Sequence, residues 1–172
     1  MPIVRRPLVA IVFLLLLAGC AGVPMDSVEI GYGPEMSVAV WDLEDFSPGP
    51  QNRPDLGEFI SARVIETIQE TGGYTVVERQ RLLLALEELN IGSNALADEI
   101  TRLEIGRIVG AKLMVFGGFQ VIGDKMRLDL RLVEVETGAV ARTAEKTVSS
   151  ANLSGWLKAA EDTATDLFKH NN

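Results

Sequence analysis

A mixed α/β domain is the fold class this sequence predicts for residues 36–172: a five-stranded mixed sheet with helices packed on it, in the order β-α-β-α-α-β-β-β-α. Three observations predict it. Short apolar strand-like runs alternate with helix-period stripes through the first half of the region. Glycine-containing turns join later runs whose apolar residues repeat every second position. The last segment returns to helical spacing.

Met36 to Leu43 is the first strand, because Val38, Ala39, Val40 and Trp41 form the nearly continuous apolar run of a strand covered on both faces. Ser47-Pro48-Gly49-Pro50 opens a loop that ends at Asp55, an N-cap residue with Glu58 three positions on, the spacing of a capping box. Leu56, Phe59, Ile60, Val64 and Ile68 then recur at helical spacing until Gly72-Gly73 stops the helix, and Tyr74 to Val77 is a second strand. Arg79 to Leu89 reads as a second helix with Leu82, Leu83, Leu86 and Leu89 inward. Asp98 to Val109 reads as a third, with Ile100, Leu103 and Ile108 on its stripe.

Lys112 to Val121 is the third strand, where Gly117-Gly118 signals a close backbone approach or a bulge. Gly123-Asp124-Lys125 turns the chain into Met126 to Glu136, whose Met126, Leu128, Leu130 and Leu132 alternate with Arg127, Asp129 and Arg131. The alternation slips at Leu132-Val133, which predicts a bulge in that strand. Thr137-Gly138 leads into a fifth strand, Ala139 to Val148, and Asn152 to Lys169 closes the domain as a helix.

The first 35 residues have a different character. Arg5 and Arg6 precede an apolar run from Leu8 to Leu17, the charged start and apolar centre of an export signal. The run is shorter than the roughly 20 residues that span a bilayer. It ends in Leu17-Ala18-Gly19-Cys20, which resembles the lipobox cut by lipoprotein signal peptidase. Residues 1–19 are therefore expected to be a leader, Cys20 the lipidated N-terminus, and 20–35 a tether without periodicity. A lone cysteine in an exported chain has no intramolecular disulfide partner, and lipidation removes that liability. Ala21 replaces the Asp that favours inner-membrane retention in well-studied Gram-negative bacteria, so the outer membrane is expected, with the domain facing the periplasm.

Loss of the leader removes Arg5 and Arg6 and leaves 14 basic against 24 acidic residues, a net charge of −10. That charge argues against nucleic acid and anionic lipid surfaces as partners. Catalytic chemistry is scarce as well. The only histidine, His170, sits three residues from the end, and Ser149 and Ser150 have no histidine beside them in sequence. Gly117-Gly118 lacks the Gly-Lys-Ser or Gly-Lys-Thr ending of a phosphate loop. We expect no enzyme, no cofactor and no metal.

Asp42, Glu44 and Asp45, followed by Phe46, cluster where the first strand ends, the edge at which open α/β sheets tend to bind. Their spacing matches no EF-hand loop. They read as a solvated acidic loop or as a partner-binding loop, and Phe46 as a lid on the sheet or a contact. Arg127 and Arg131 read first as structural ion-pair partners.

Four segments in order resemble the CsgG-like domain shared by curli-secretion lipoproteins and the flagellar outer-membrane lipoprotein FlgO. They are Val38-Ala39-Val40-Trp41-Asp42-Leu43; Val77-Glu78-Arg79-Gln80 leading into Leu82 to Asn90; Gly110 to Gly118; and Leu128 to Thr137-Gly138. The resemblance implies a fold like the N-terminal domain of TolB. It also implies a non-enzymatic assembly, scaffold or accessory role in a cell-envelope or secretion apparatus, with envelope protein partners or a homo-oligomeric ring. The alternative is a regulatory binding module like the lipoprotein activators of penicillin-binding proteins. The pore-forming hairpins of the curli secretion channel have no room here: Gly123-Asp124-Lys125 alone joins the third and fourth strands, and the fifth runs straight into the last helix.

Overall fold

A computed structural model describes residues 36–49, 55–89, 98–149 and 152–169. The leader, Cys20, the tether, Pro50 and His170 lie outside the described residues. The elements are β1 (Ser37–Val40), β2 (Glu44–Asp45), α1 (Leu56–Thr71), β3 (Thr75–Val76), α2 (Arg79–Glu88), α3 (Glu99–Ile108), β4 (Leu113–Ile122), β5 (Lys125–Glu134), β6 (Val140–Ser149) and α4 (Leu153–Phe168). The mixed α/β class and the predicted order hold, with one addition: the two-residue strand β2, which makes the sheet six-stranded.

The sheet runs β3-β1-β4-β5-β6, and β2 pairs with β4 beyond the end of β1. β1 is parallel to both β3 and β4, whereas β4, β5 and β6 are antiparallel. Two hydrophobic layers hold it. On one face α1 (Ile60, Val64, Ile68) and α4 (Ala160, Ala164, Leu167, Phe168) pack on Val38, Val115, Phe119, Leu128, Leu130 and Leu132. Full burial of each Leu or Ile contributes about 1.5–3 kcal/mol. On the other face α2 (Leu82, Ala85) and α3 (Leu103, Ile105) cover Ala39, Met114, Phe116, Val133 and Val135. The second layer is incomplete. Arg127, Asp129 and Arg131 stay exposed on the same face of β5 whose end, Val133, is buried.

That partial cover corrects three sequence expectations. β5 does not bulge at Leu132-Val133: both residues are fully buried because they face opposite layers, and the strand alternates without interruption. The register shift at that point belongs to β6, where Leu132 faces Arg142 and Val133 faces Val140, leaving Ala141 as the extra residue. In α2 the inward stripe is Leu82 and Ala85 with Leu86 partly buried, while Leu83 and Leu89 are exposed. In α3 the buried residues are Leu103, Ile105 and Gly106, whereas Ile100 (67% exposed) and Ile108 (54%) face outward. α3 approaches the sheet at Gly106, where an added Cβ would lie 2.5 Å from the Met114 sulfur.

The capping box at α1 is also not formed. Asp55 has near-helical dihedrals (φ −102°, ψ −3°) and no side-chain cap, and the Glu58 carboxylate is taken by Arg79. Asp98 and Asn152 do cap α3 and α4, accepting from the backbone N–H groups of Ile100 and Gly155.

A charge network ties α1, α4 and β6 together. Arg63 meets Glu161 (2.6 Å), Lys158 meets both Glu161 and Asp162, and Lys146 of β6 meets Asp162 (2.7 Å). Hydrogen bonds from Lys158 and then Arg63 hold the Glu161 carboxyl below its ordinary value, and those from Lys146 and then Lys158 do the same for Asp162. Carboxylates lowered by folding stabilise fully above the ordinary range near pH 4 and lose that contribution as pH falls through their lowered values. The urea midpoint is therefore expected to fall on acidification below about pH 4. A Glu161→Gln, Asp162→Asn double variant should flatten that dependence, and added salt should shrink it, because these pairs are solvent-accessible.

Candidate functional site

The four candidate residues follow directly from how β1 ends. Val40 faces Val115 and Glu44 faces Gly118, so four steps on this strand match three on β4, and Trp41 to Leu43 form a bulge between β1 and β2. Leu43 turns into the core, and its N–H donates to Ser61 Oγ (3.0 Å), itself bonded to the carbonyl of Gly57. Gly57 permits that approach, since a Cβ there would lie 2.5 Å from the Leu43 carbonyl oxygen. Beyond β2 the chain stays stitched to β4: Phe46 N–H donates to the Phe119 carbonyl (2.8 Å), and Ser47 Oγ accepts from Val121 N–H (2.9 Å).

The acidic residues do not converge. Asp42 forms a two-toothed pair with Arg79 (3.1 and 2.8 Å), whose remaining nitrogen reaches Glu58 (2.9 Å), so it braces β1 against α1 and α2. Asp45 accepts from Ser47 N–H (2.8 Å) and shapes its own turn. Glu44 pairs with Arg102 of α3 (2.6 Å), a guanidinium that also lies 5.5 Å from the centre of the Trp41 ring. Among the described residues no group of three His, Cys, Asp or Glu is arranged to hold a metal ion.

Glu44 and Phe46 do meet, at the rim of a groove of about 740 Å³ on the part of the sheet that α2 and α3 leave uncovered. Its floor is Phe116 and Gly118, and Arg131, Asp129, Thr143 and Glu145 form the opposite side. Gly118 makes the floor flat: a Cβ there would lie 2.3 Å from the Phe46 ring. The ring rests over that glycine and remains 59% exposed. Arg131 sits over the Phe116 ring (5.7 Å) and bonds Glu99 (2.7 Å), while Arg127 joins Asp129 and Glu145. Arg79, Glu99 and Arg102 were not singled out in sequence, because their partners lie 37, 32 and 58 residues away in the chain.

Comparison with known proteins agrees with this architecture. The family model described as "Curli production assembly/transport component CsgG" matches residues 35–122. No curated protein gives a significant match. Among solved structures, lipoprotein GNA1162 from Neisseria meningitidis superposes with a TM-score of 0.58 at 15% identity, covering 76% of this chain and 94% of that one. The LpoB C-terminal domain from Salmonella enterica gives 0.56 at 19%, covering 70% and 87%. A PelC dodecamer from Paraburkholderia phytofirmans gives 0.53 at 16%, covering 80% and 88%. At these identities the likeness is one of fold.

Proposed function

The chain belongs to the CsgG family, whose model spans half of it, and from that premise we propose that it is a lipid-anchored, non-enzymatic accessory or scaffold component of a cell-envelope apparatus. One observation carries the reading. Asp42, Glu44 and Asp45 each have a partner inside the domain, while Phe46 offers an exposed aromatic ring at the mouth of an open groove. An exposed ring beside an open groove is an arrangement that serves binding.

In this reading Cys20 carries acyl chains that hold the domain at the outer membrane, facing the periplasm. The tether leads into β1 at Ser37, and the Phe46 loop follows the opposite end of that strand, so strand β1 separates the groove rim from the point of attachment. β4 and β5 are joined by the two-residue turn Gly123-Asp124 with no hairpin inserted there, which supports an accessory role over a pore-lining one. The PelC structure is a dodecamer, which supports a homo-oligomeric ring as one form of the assembly proposed here.

A photo-reactive residue in place of Phe46, expressed in living cells, tests this. Adducts with further copies of the chain support a ring, and an adduct with another envelope protein supports the accessory role. If that protein is a cell-wall synthase, the regulatory alternative is selected. A chain that forms no adduct from this position contradicts the proposal.

A further inference from the structure

β6 is ten residues long, Val-Ala-Arg-Thr-Ala-Glu-Lys-Thr-Val-Ser, and its β-branched residues favour a strand. Its register with β5 runs from Ser149 opposite Lys125 to Val140 opposite Val133. Among the described residues no strand lies along its other side. An edge of this length presents a row of backbone donors and acceptors to any extended chain. The usual guards are weak here. β6 contains no proline, its bulge at Ala141 leaves 142–149 regular, and Lys146 is drawn onto α4 by Asp162 (2.7 Å).

A second copy is a poor occupant of this edge. Two β6 strands related by a two-fold axis pair residues on the same sheet face. The two registers that use most of 142–149 are centred on Glu145 or Lys146. They set Glu145 or Lys146 against itself, and like charges directly opposite are destabilising. The edge is therefore open to addition and set against self-addition.

The neighbouring groove indicates what fits. Thr143, Ala144 and Glu145 form its β6 side, and its lining holds four carboxylates (Glu44, Glu99, Asp129, Glu145) against two guanidinium groups (Arg102, Arg131). Arg127 bonds Glu145 only through Oε2. A basic residue opposite Glu145 would thus meet a net negative wall, while acidic residues opposite Arg142 and Lys146 would give a further acceptor to side chains that already reach the Lys169 carbonyl and Asp162 on the α4 side.

We propose that β6 docks an extended antiparallel segment of a different protein, carrying acidic residues opposite Lys146 and Arg142 and a basic residue opposite Glu145 whose side chain enters the groove. This rests on the envelope-partner reading above and states that partner's chemistry. Backbone pairing would supply affinity and the charge order specificity.

The test is an NMR titration of the full chain in detergent micelles with the peptide Val-Thr-Glu-Arg-Val-Thr-Glu and its charge-swapped counterpart Val-Thr-Lys-Glu-Val-Thr-Lys. The matched peptide is expected to bind about tenfold more tightly, to shift β6 resonances first and to slow hydrogen exchange along Thr143 to Thr147. Glu145→Arg should erase or invert the preference. Ala144→Pro should abolish binding, and Glu145→Arg keeps the test decisive where the proline variant fails to fold. Equal binding of the two peptides, shifts centred elsewhere, or outward-pointing β6 amides, those not bonded to β5, already protected without peptide would overturn the proposal. The last result would mean that a second copy or another part of the chain covers the strand. Adducts from position 46 in cells combined with any of these results would leave the proposed function standing while removing this inference.

Discussion

Gly117→Ala is expected to cost about 3 kcal/mol or more, at or above the upper end of overpacking penalties. Gly117 lies in the middle of β4 opposite Leu130, and a Cβ there would sit 2.2 Å from the Asp129 carbonyl oxygen and 2.9 Å from a Leu130 methyl. The oxygen belongs to the backbone of the paired strand, so relief requires β4 and β5 to part at the centre of the sheet. Domains of this size are stable by about 5–15 kcal/mol, so such a loss is a large share of the whole. Urea unfolding followed by far-UV circular dichroism measures it, and a midpoint close to that of the parent chain would contradict it. Gly118→Ala has a different expected outcome. There a Cβ would meet the Phe46 ring at 2.3 Å and the Glu44 carbonyl oxygen at 2.7 Å. The ring should therefore swing off the groove floor and the two-residue β2 part from β4, with a smaller loss of stability because so short a strand is displaced more easily than β5.

The second large effect concerns the anchor. With residues 1–20 exchanged for an ordinary cleavable export leader, the domain is expected to leave the membrane fraction almost entirely and appear in the soluble periplasmic extract. The native sequence should stay with membranes in concentrated salt and be released by detergent. The physical basis is that each buried acyl methylene contributes about 0.8 kcal/mol and that stable anchoring takes more than one chain, whereas an acidic domain has no electrostatic attraction to anionic lipid. No helix among the described residues is long and apolar enough to cross a membrane. Persistence of the leader-exchanged chain in salt-washed membranes would point to a protein contact as the dominant anchor.

The parts of the fold that local chemistry dictates were readable in sequence. Period-two alternation in β5, the Gly72-Gly73 stop of α1 and the Gly123-Asp124 turn depend on residues a few positions apart, and each element formed within a few residues of its expected bounds. The inward faces of α2 and α3 were not readable. Those helices cover only one end of the sheet, so their apolar arcs are wider than what they bury, and Leu83, Leu89, Ile100 and Ile108 are left outside. β2 was missed because its pairing is decided by the β4 backbone and not by any strand propensity of Glu44-Asp45.

For the site, the sequence located the loop but not its division of labour. Asp42, Glu44, Asp45 and Phe46 are close in the chain, yet a one-residue bulge and two partners distant in sequence send Asp42 to Arg79 and Glu44 to Arg102, while Asp45 bonds within its own turn. Only Glu44 and Phe46 reach the groove. The groove itself arises from what α2 and α3 fail to cover, a tertiary outcome that no local pattern encodes.

Everything proposed for this protein places the domain at a membrane through Cys20, and the mass of the N-terminal peptide from chain extracted out of cell membranes tests that most directly. The expected peptide begins at Cys20 and carries the mass of several acyl chains. A peptide retaining residues 1–19, or one with a bare Cys20 thiol, would contradict it.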